Sequence, residues 1–147
     1  MDGQLPPHLG LLLVRTSVPI GDNTFTVNIP ASWDSSEVDG AIEMLTEIRI
    51  PEDDALQAFL SLPDVSVGTD NIMDRFREAF AGKYGAEEDL LRALSPLEEW
   101  QAELADWCVD HGIEFEALDW NLEPLMERLR AIYDVVQWKG ELYAFVK

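Results

Sequence analysis

Ser95-Pro-Leu-Glu-Glu-Trp-Gln-Ala-Glu-Leu-Ala-Asp-Trp-Cys-Val-Asp-His-Gly112 opens with a capping serine, a proline at the first helical position and a glutamate that completes a capping box. The helix it starts, from residue 96, should run to His111 and stop at Gly112. At about 100° per residue, Glu99, Glu103, Asp106 and Asp110 fall within an arc of about 60°. Leu97, Trp100, Leu104, Trp107, Cys108 and His111 take the other side. The expectation is a strongly amphipathic helix with Trp100 and Trp107 in the core and one acidic line in solvent.

On the C-terminal side, Asn121 can cap a further helix in which Leu122, Leu125, Met126 and Leu129 point inward. The chain then reads as a β-hairpin, Tyr133 to Trp138 and Glu141 to Val146, around a Lys139-Gly140 turn. On the N-terminal side, Gly85 opens a short helix to Leu94. Thr69 or Asp70 caps another, whose Ile72, Met73, Phe76 and Phe80 form an apolar stripe stopped by Gly82. Asp64 to Val67 reads as a short strand, and a short helix starts at Pro51 with Leu56, Phe59 and Leu60 inside. Asp34 and Glu37 resemble a capping box for a helix over 34–47, with Val38, Ala41, Ile42 and Leu45 at helical spacing. Residues 11–16 and 24–29 are β-rich and separated by Pro19, Gly21, Asp22 and Asn23, which reads as a hairpin or two neighbouring strands. Leu9 to Val14 reads as a short buried strand and not as a signal peptide, since no basic residue precedes it and no small-residue cleavage site follows.

Helices in the middle and short strands at both ends give an α+β fold. At 147 residues the chain is one domain over 1–147, or two small subdomains of about 1–68 and 69–147. There is no internal repeat and no low-complexity linker.

The balance of 29 Asp and Glu against 10 Lys and Arg, a formal net charge of -19, repels phosphate and argues against direct binding to nucleic acid or to an anionic membrane. One cysteine, Cys108, fits a reducing cytoplasm. From Ala93 to Glu127 there is no lysine or arginine, yet the stretch carries Glu98, Glu99, Glu103, Asp106, Asp110, Glu114, Glu116, Asp119, Glu123 and Glu127. Like charges on a folded surface repel, so a field kept without counter-ions points to a cationic partner. The acids of the helix line rise about 4.5–6 Å per step, against about 3.4 Å between phosphates of one DNA strand. To imitate a duplex the line needs further acids, and Glu87, Glu88, Asp89, Glu114, Glu116, Asp119, Glu123 and Glu127 are the candidates.

Other chemistries find little support. Glu52-Asp53-Asp54 lacks the spacing and glycine of a calcium loop and suits a helix N-terminus instead. Cys108 and His111 have the spacing of half a metal site, but no further Cys or well-spaced His completes it, so a buried thiol and a capping imidazole are expected. There is no glycine-rich phosphate loop, no Gly-x-Ser-x-Gly and no acid/base couple that stands out. No catalytic residue, metal or cofactor is assigned. Five tryptophans are many for a small domain. Trp33, Trp120 or Trp138 can anchor a protein interface, although core positions suit each of them.

Phe76-Arg-Glu-Ala-Phe-Ala-Gly-Lys-Tyr-Gly-Ala-Glu-Glu-Asp-Leu90 resembles the aromatic-x-Gly-x-aromatic and Glu-Glu-Asp pattern of ArdA-type antirestriction proteins. Leu118-Asp-Trp-Asn-Leu-Glu-Pro-Leu-Met-Glu-Arg-Leu129 and Gly140-Glu-Leu-Tyr-Ala-Phe-Val146 are similar to that family's closing helix and final strand. Ile29-Pro-Ala-Ser-Trp-Asp-Ser-Ser-Glu-Val38 is similar to an earlier strand, proline and capped helix. The family's aromatic and glycine-rich N-terminal start is not evident, so the resemblance is to a shortened or divergent relative.

That resemblance implies an acidic homodimer from a phage or mobile element, acting in the cytoplasm of a bacterial host cell, that imitates bent duplex DNA in the groove of type I restriction-modification enzymes. By matching position it supports Glu87, Glu88, Asp89 and Asp119. The expected function is therefore a non-enzymatic DNA-mimic inhibitor whose partner is a basic DNA-binding groove. The same field also suits an anti-CRISPR protein, an inhibitor of another nucleic-acid-binding protein, or an immunity or antitoxin-like module that neutralises a basic toxin.

Overall fold

The computed structural model describes residues 12–147, so His8 and the start of the apolar run at Leu9 lie outside the described residues. The fold is α+β. Its strands are β1 (Leu13–Ile20), β2 (Asn23–Pro30), β3 (Phe80–Tyr84), β4 (Tyr133–Trp138) and β5 (Glu141–Val146). Its helices are α1 (Ser35–Glu47), α2 (Asp54–Leu60), α3 (Ile72–Ala79), α4 (Glu87–Leu94), α5 (Leu97–His111) and α6 (Glu123–Ile132), with 3-10 turns at Ile50–Glu52 and Phe115–Ala117. The chain divides into two compact units at Phe80 and Ala81, where the sequence suggests one domain or a division near residue 68.

In the N-terminal unit, β1 and β2 form an antiparallel hairpin with Val18 opposite Phe25 and Ile20 opposite Asn23. Gly21, at a φ of 61°, supplies the left-handed first residue of the two-residue turn. Pro19 lies inside β1 instead of between the strands, a position open to it because each strand of a two-stranded sheet has a free edge. Only the turn end of β1 is buried. Val18 and Ile20 are 1% and 3% exposed, whereas Leu12 and Val14 are exposed, which corrects the expectation of a buried strand at the start. Val14 shares the face of Val18 and Ile20 but lies beyond the core they enter.

Asp34 caps α1 by accepting from the Glu37 N–H at 3.0 Å, and Ala41 and Leu45 carry its buried face. That backbone bond, with the Ser36 hydroxyl, holds the Asp34 carboxyl below the usual carboxylate range. A depressed folded-state value means that the contribution is complete above the unfolded-state value and is lost as pH falls through the lower folded-state one. Amide exchange at Glu37 should therefore stay protected at pH 5 and lose protection on acidification below the ordinary Asp range. In Asp34→Asn, where the amide oxygen keeps the cap, that loss should disappear.

Asp53 caps α2 through the Leu56 N–H at 3.0 Å, so the Glu52-Asp53-Asp54 run serves a helix start as expected. Asp64 to Val67 is not a strand. The buried Asn28 side chain donates to the carbonyls of Leu62 (2.7 Å) and Val65 (3.2 Å), and the Val67 N–H returns to the Asn28 carbonyl (3.0 Å). The Asn28 side chain and main-chain carbonyl thus satisfy one carbonyl and one N–H of this run without a ladder. Neither Thr69 nor Asp70 caps α3. Asn71 holds the cap position in a left-handed conformation, φ 55°, with no side-chain bond to the helix.

The C-terminal unit contains a three-stranded sheet in the order β3-β5-β4, with Tyr133 opposite Val146 and Trp138 opposite Glu141. Lys139 and Gly140, at φ 51° and 81°, form the turn with both central residues left-handed. Strand β3 occupies the place where a helix stop was expected. Gly82, at φ 128°, belongs to that strand, and a Cβ there would strike the Tyr84 hydroxyl, which donates to the Ala81 carbonyl at 2.7 Å. Burial pushes the Tyr84 phenol up from its ordinary value. Leu90, Leu91, Leu97, Met126, Leu129 and Ala144 make the core cluster of this unit, and α4 packs on both α5 and α6.

Candidate functional site

Helix α5 is anchored at both ends by the residues that the sequence marks. Ser95 accepts from the Leu97 N–H at 3.3 Å and donates to the Leu91 carbonyl, so one hydroxyl ties the end of α4 to the start of α5. The helix begins at Leu97, with Pro96 in place of Ser95 at the cap position, one residue later than the box predicts. At the other end Gly112 is left-handed, φ 68°. Its N–H bonds the Val109 carbonyl while the Ile113 N–H bonds that of Cys108, a Schellman closure.

Between these anchors the acidic line is in place. Glu99, Glu103, Asp106 and Asp110 are all exposed, as are Glu87, Glu88, Asp89, Glu114, Glu116, Asp119, Glu123 and Glu127. All twelve belong to the C-terminal unit. Three of them have cations: Arg92 reaches Glu88 at 2.7 Å, and Arg130 reaches Glu123 at 3.2 Å and Glu87 at 3.4 Å. Counter-ions thus come from α4 and α6, beyond the Lys- and Arg-free stretch. Exposed pairs of this kind contribute about 0–1 kcal/mol and leave the field largely intact. Among the described residues, the four acids of the α5 line have no ion pair within 4 Å.

The apolar side of α5 departs from the expectation. Leu97 and Cys108 are buried, but Trp100 and Trp107 are 38% and 46% exposed, so these two tryptophans are not core residues. Trp33, Trp120 and Trp138 are half-buried. The buried stripe of α5 is therefore narrower than periodicity predicts, centred on Leu97 and Cys108 with Leu104 and Ala105 half-covered. His111 is exposed as well. Its ring stacks on Trp107 with centroids 4.2 Å apart, and its Nδ1 lies 2.8 Å from the Trp107 carbonyl. It closes the helix end, Cys108 is a buried thiol, and no group of three metal-ligating side chains occurs among the described residues.

The start of α5, the segment before α6 and α6 itself enclose a pocket of about 260 Å³ lined by Leu97, Trp100, Trp120, Leu122, Leu125 and Arg128 among others. Sequence reasoning misses it, because it forms from side chains over twenty residues apart. Among the described residues, the buried Trp120 indole N–H has no hydrogen-bond acceptor. No described helix is long and apolar enough to cross a membrane. In comparison with known proteins, no family model, no curated protein and no solved structure matches the chain.

Proposed function

We propose that the chain is a non-enzymatic inhibitor whose carboxylates take the place of phosphates in the basic groove of a DNA-binding defence enzyme, with type I restriction-modification enzymes as the leading target. The observation that carries this reading is the α5 line, four exposed acids on one helix face with no ion-pair partner among the described residues. An acidic patch with no competing internal cation raises the local concentration of a basic surface and lowers the cost of removing its counter-ions. The patchy likeness to ArdA-type proteins supports the same target. Neighbouring acids on α4 and on the 114–127 stretch supply the charge that one helix lacks.

The test is competition for DNA. The protein should displace duplex DNA from a purified type I restriction enzyme at 50 mM salt, and its inhibition constant should weaken at least tenfold at 200 mM salt. Absence of displacement at 50 mM salt would reject this target. A second reading is favoured by the exposed Trp100 and Trp107: an immunity or antitoxin-like module for one basic protein, since tryptophans on an accessible helix suit a specific protein interface. It predicts tight binding to that protein and no general inhibition of DNA-binding enzymes.

A further inference from the structure

We infer that a groove in the N-terminal unit, between α1 and the start of α3, takes a basic amphipathic helix of a partner protein, its apolar side chains inside and its Lys or Arg at the rim. The groove has a volume of about 590 Å³. Of the side chains that line it, Ala41, Val67 and Ile72 are buried, and Trp33, Met44 and Met73 are half-buried. Glu37, Asp70 and Asp74 line it too, all three exposed, and no lysine, arginine or histidine does so among the described residues. Arg77 reaches Asp74 at 2.8 Å, whereas Glu37 and Asp70 have no ion pair within 4 Å among the described residues. An apolar surface whose own lining is acidic complements an occupant that is both apolar and cationic. Methionine side chains, flexible and polarisable, adapt to the apolar face of such a helix.

Two glycines shape the groove. The Trp33 ring lies over Gly68, where a Cβ would strike it, so the indole can rest against the backbone as a wall. Gly40 stands inside α1, where glycine is less favourable than alanine, yet a Cβ there would meet nothing within 4 Å. No packing contact therefore requires glycine at this position, and its effect is to leave the groove unfilled beside Ala41 and Met44. The groove is also open, since Glu37, Gly40, Asp70, Asn71 and Asp74 are exposed along it. A small amine would stay partly in water there, whereas small-molecule sites enclose most of their ligand. A second copy of this chain, with a formal net charge of -19, would meet the acids with more acid.

The probes are two synthetic lysine-rich helical peptides, one with leucine and phenylalanine along one face and the other with glutamine in their place. They are titrated at low salt by calorimetry and by NMR of labelled methionine methyl groups. The apolar-faced peptide should shift the Met44 and Met73 signals and leave that of Met126, buried in the other unit, where it is. It should bind about tenfold or more tightly than the glutamine peptide. Gly40→Leu should keep or raise the denaturation midpoint, since leucine favours the helix and its Cβ meets no neighbour, yet abolish that advantage by filling the groove. Glu37→Gln with Asp70→Asn should weaken the apolar-faced peptide about tenfold. Unmoved Met44 and Met73 signals, equal affinities of the two peptides, or an advantage that survives Gly40→Leu would overturn the inference. Phenethylamine binding the groove as tightly as the peptide would overturn the helix as its occupant. None of these results touches the α5 line, which belongs to the C-terminal unit.

Discussion

Neutralising the α5 line with Glu99→Gln, Glu103→Gln, Asp106→Asn and Asp110→Asn together should weaken the inhibition of DNA binding about a hundredfold at low salt. The same variant should flatten the salt dependence of inhibition. Stability should move the other way. Removing the three like-charge neighbours along the line gains about 0.2–0.5 kcal/mol for each. The position of each acid on the helix modifies this. Glu99 lies in the first turn, where a carboxylate meets the positive end of the dipole, whereas Asp110 lies in the last turn, where it meets the negative end. Asp110→Asn alone should therefore stabilise more than Glu99→Gln, as read by chemical denaturation. A variant that is more stable yet inhibits far less separates a binding role from a folding role. Unchanged inhibition would show that the acidic line serves solubility alone.

Leu90→Ala should have the largest effect on stability. Leu90 has no exposed surface and belongs to the cluster it forms with Leu91, Leu97, Met126, Leu129 and Ala144. Its truncation removes apolar contact and leaves a cavity where α4 meets α5 and α6, at a cost of about 2–5 kcal/mol. The denaturation midpoint should fall accordingly. Partner binding should decline only in proportion to the unfolded fraction, because the acids of α5 are untouched. A loss of less than about 1 kcal/mol would mean that this cluster does not hold the unit together.

Local chemistry made much of the fold legible in the sequence, and the exceptions have physical causes. Asp34 and Glu37 mark the start of α1, Gly112 marks the end of α5, and Lys139-Gly140 marks the terminal hairpin, because each signal is carried by residues within a few positions of one another. Strand β3 was hidden because Gly82 after an apolar stripe looks like a helix stop. What fixes it as a strand is pairing with β5, some sixty residues away in sequence. The run from Asp64 to Val67 has strand composition, but a distant residue, Asn28, bonds it at two points, its side chain to the Val65 carbonyl and its own carbonyl to the Val67 N–H, and no ladder forms.

The candidate site was legible in the same uneven way. Exposure of all twelve acids follows from charge and helical period. Trp100 and Trp107 follow the period of the apolar stripe and yet remain exposed, because periodicity assigns a side of the helix and only neighbouring elements decide how much of it is covered. The Arg130 pairs with Glu87 and Glu123 join α6 to a carboxylate of α4 and to one of its own first turn, the former out of reach of any local pattern.

Charge alone does not single out the C-terminal unit: residues 81–147 hold 15 Asp and Glu against 6 Lys and Arg, and residues 1–80 hold 14 against 4. The most direct measurement is therefore carboxylate footprinting by mass spectrometry on the complex with a type I restriction enzyme, with exposed acids of the N-terminal unit such as Asp22, Glu43 and Glu47 as internal controls. Glu99, Glu103, Asp106 and Asp110 should lose most of their labelling in the complex while the control acids keep theirs. Equal labelling of the α5 line with and without the enzyme would contradict the proposal that these carboxylates stand in for phosphates.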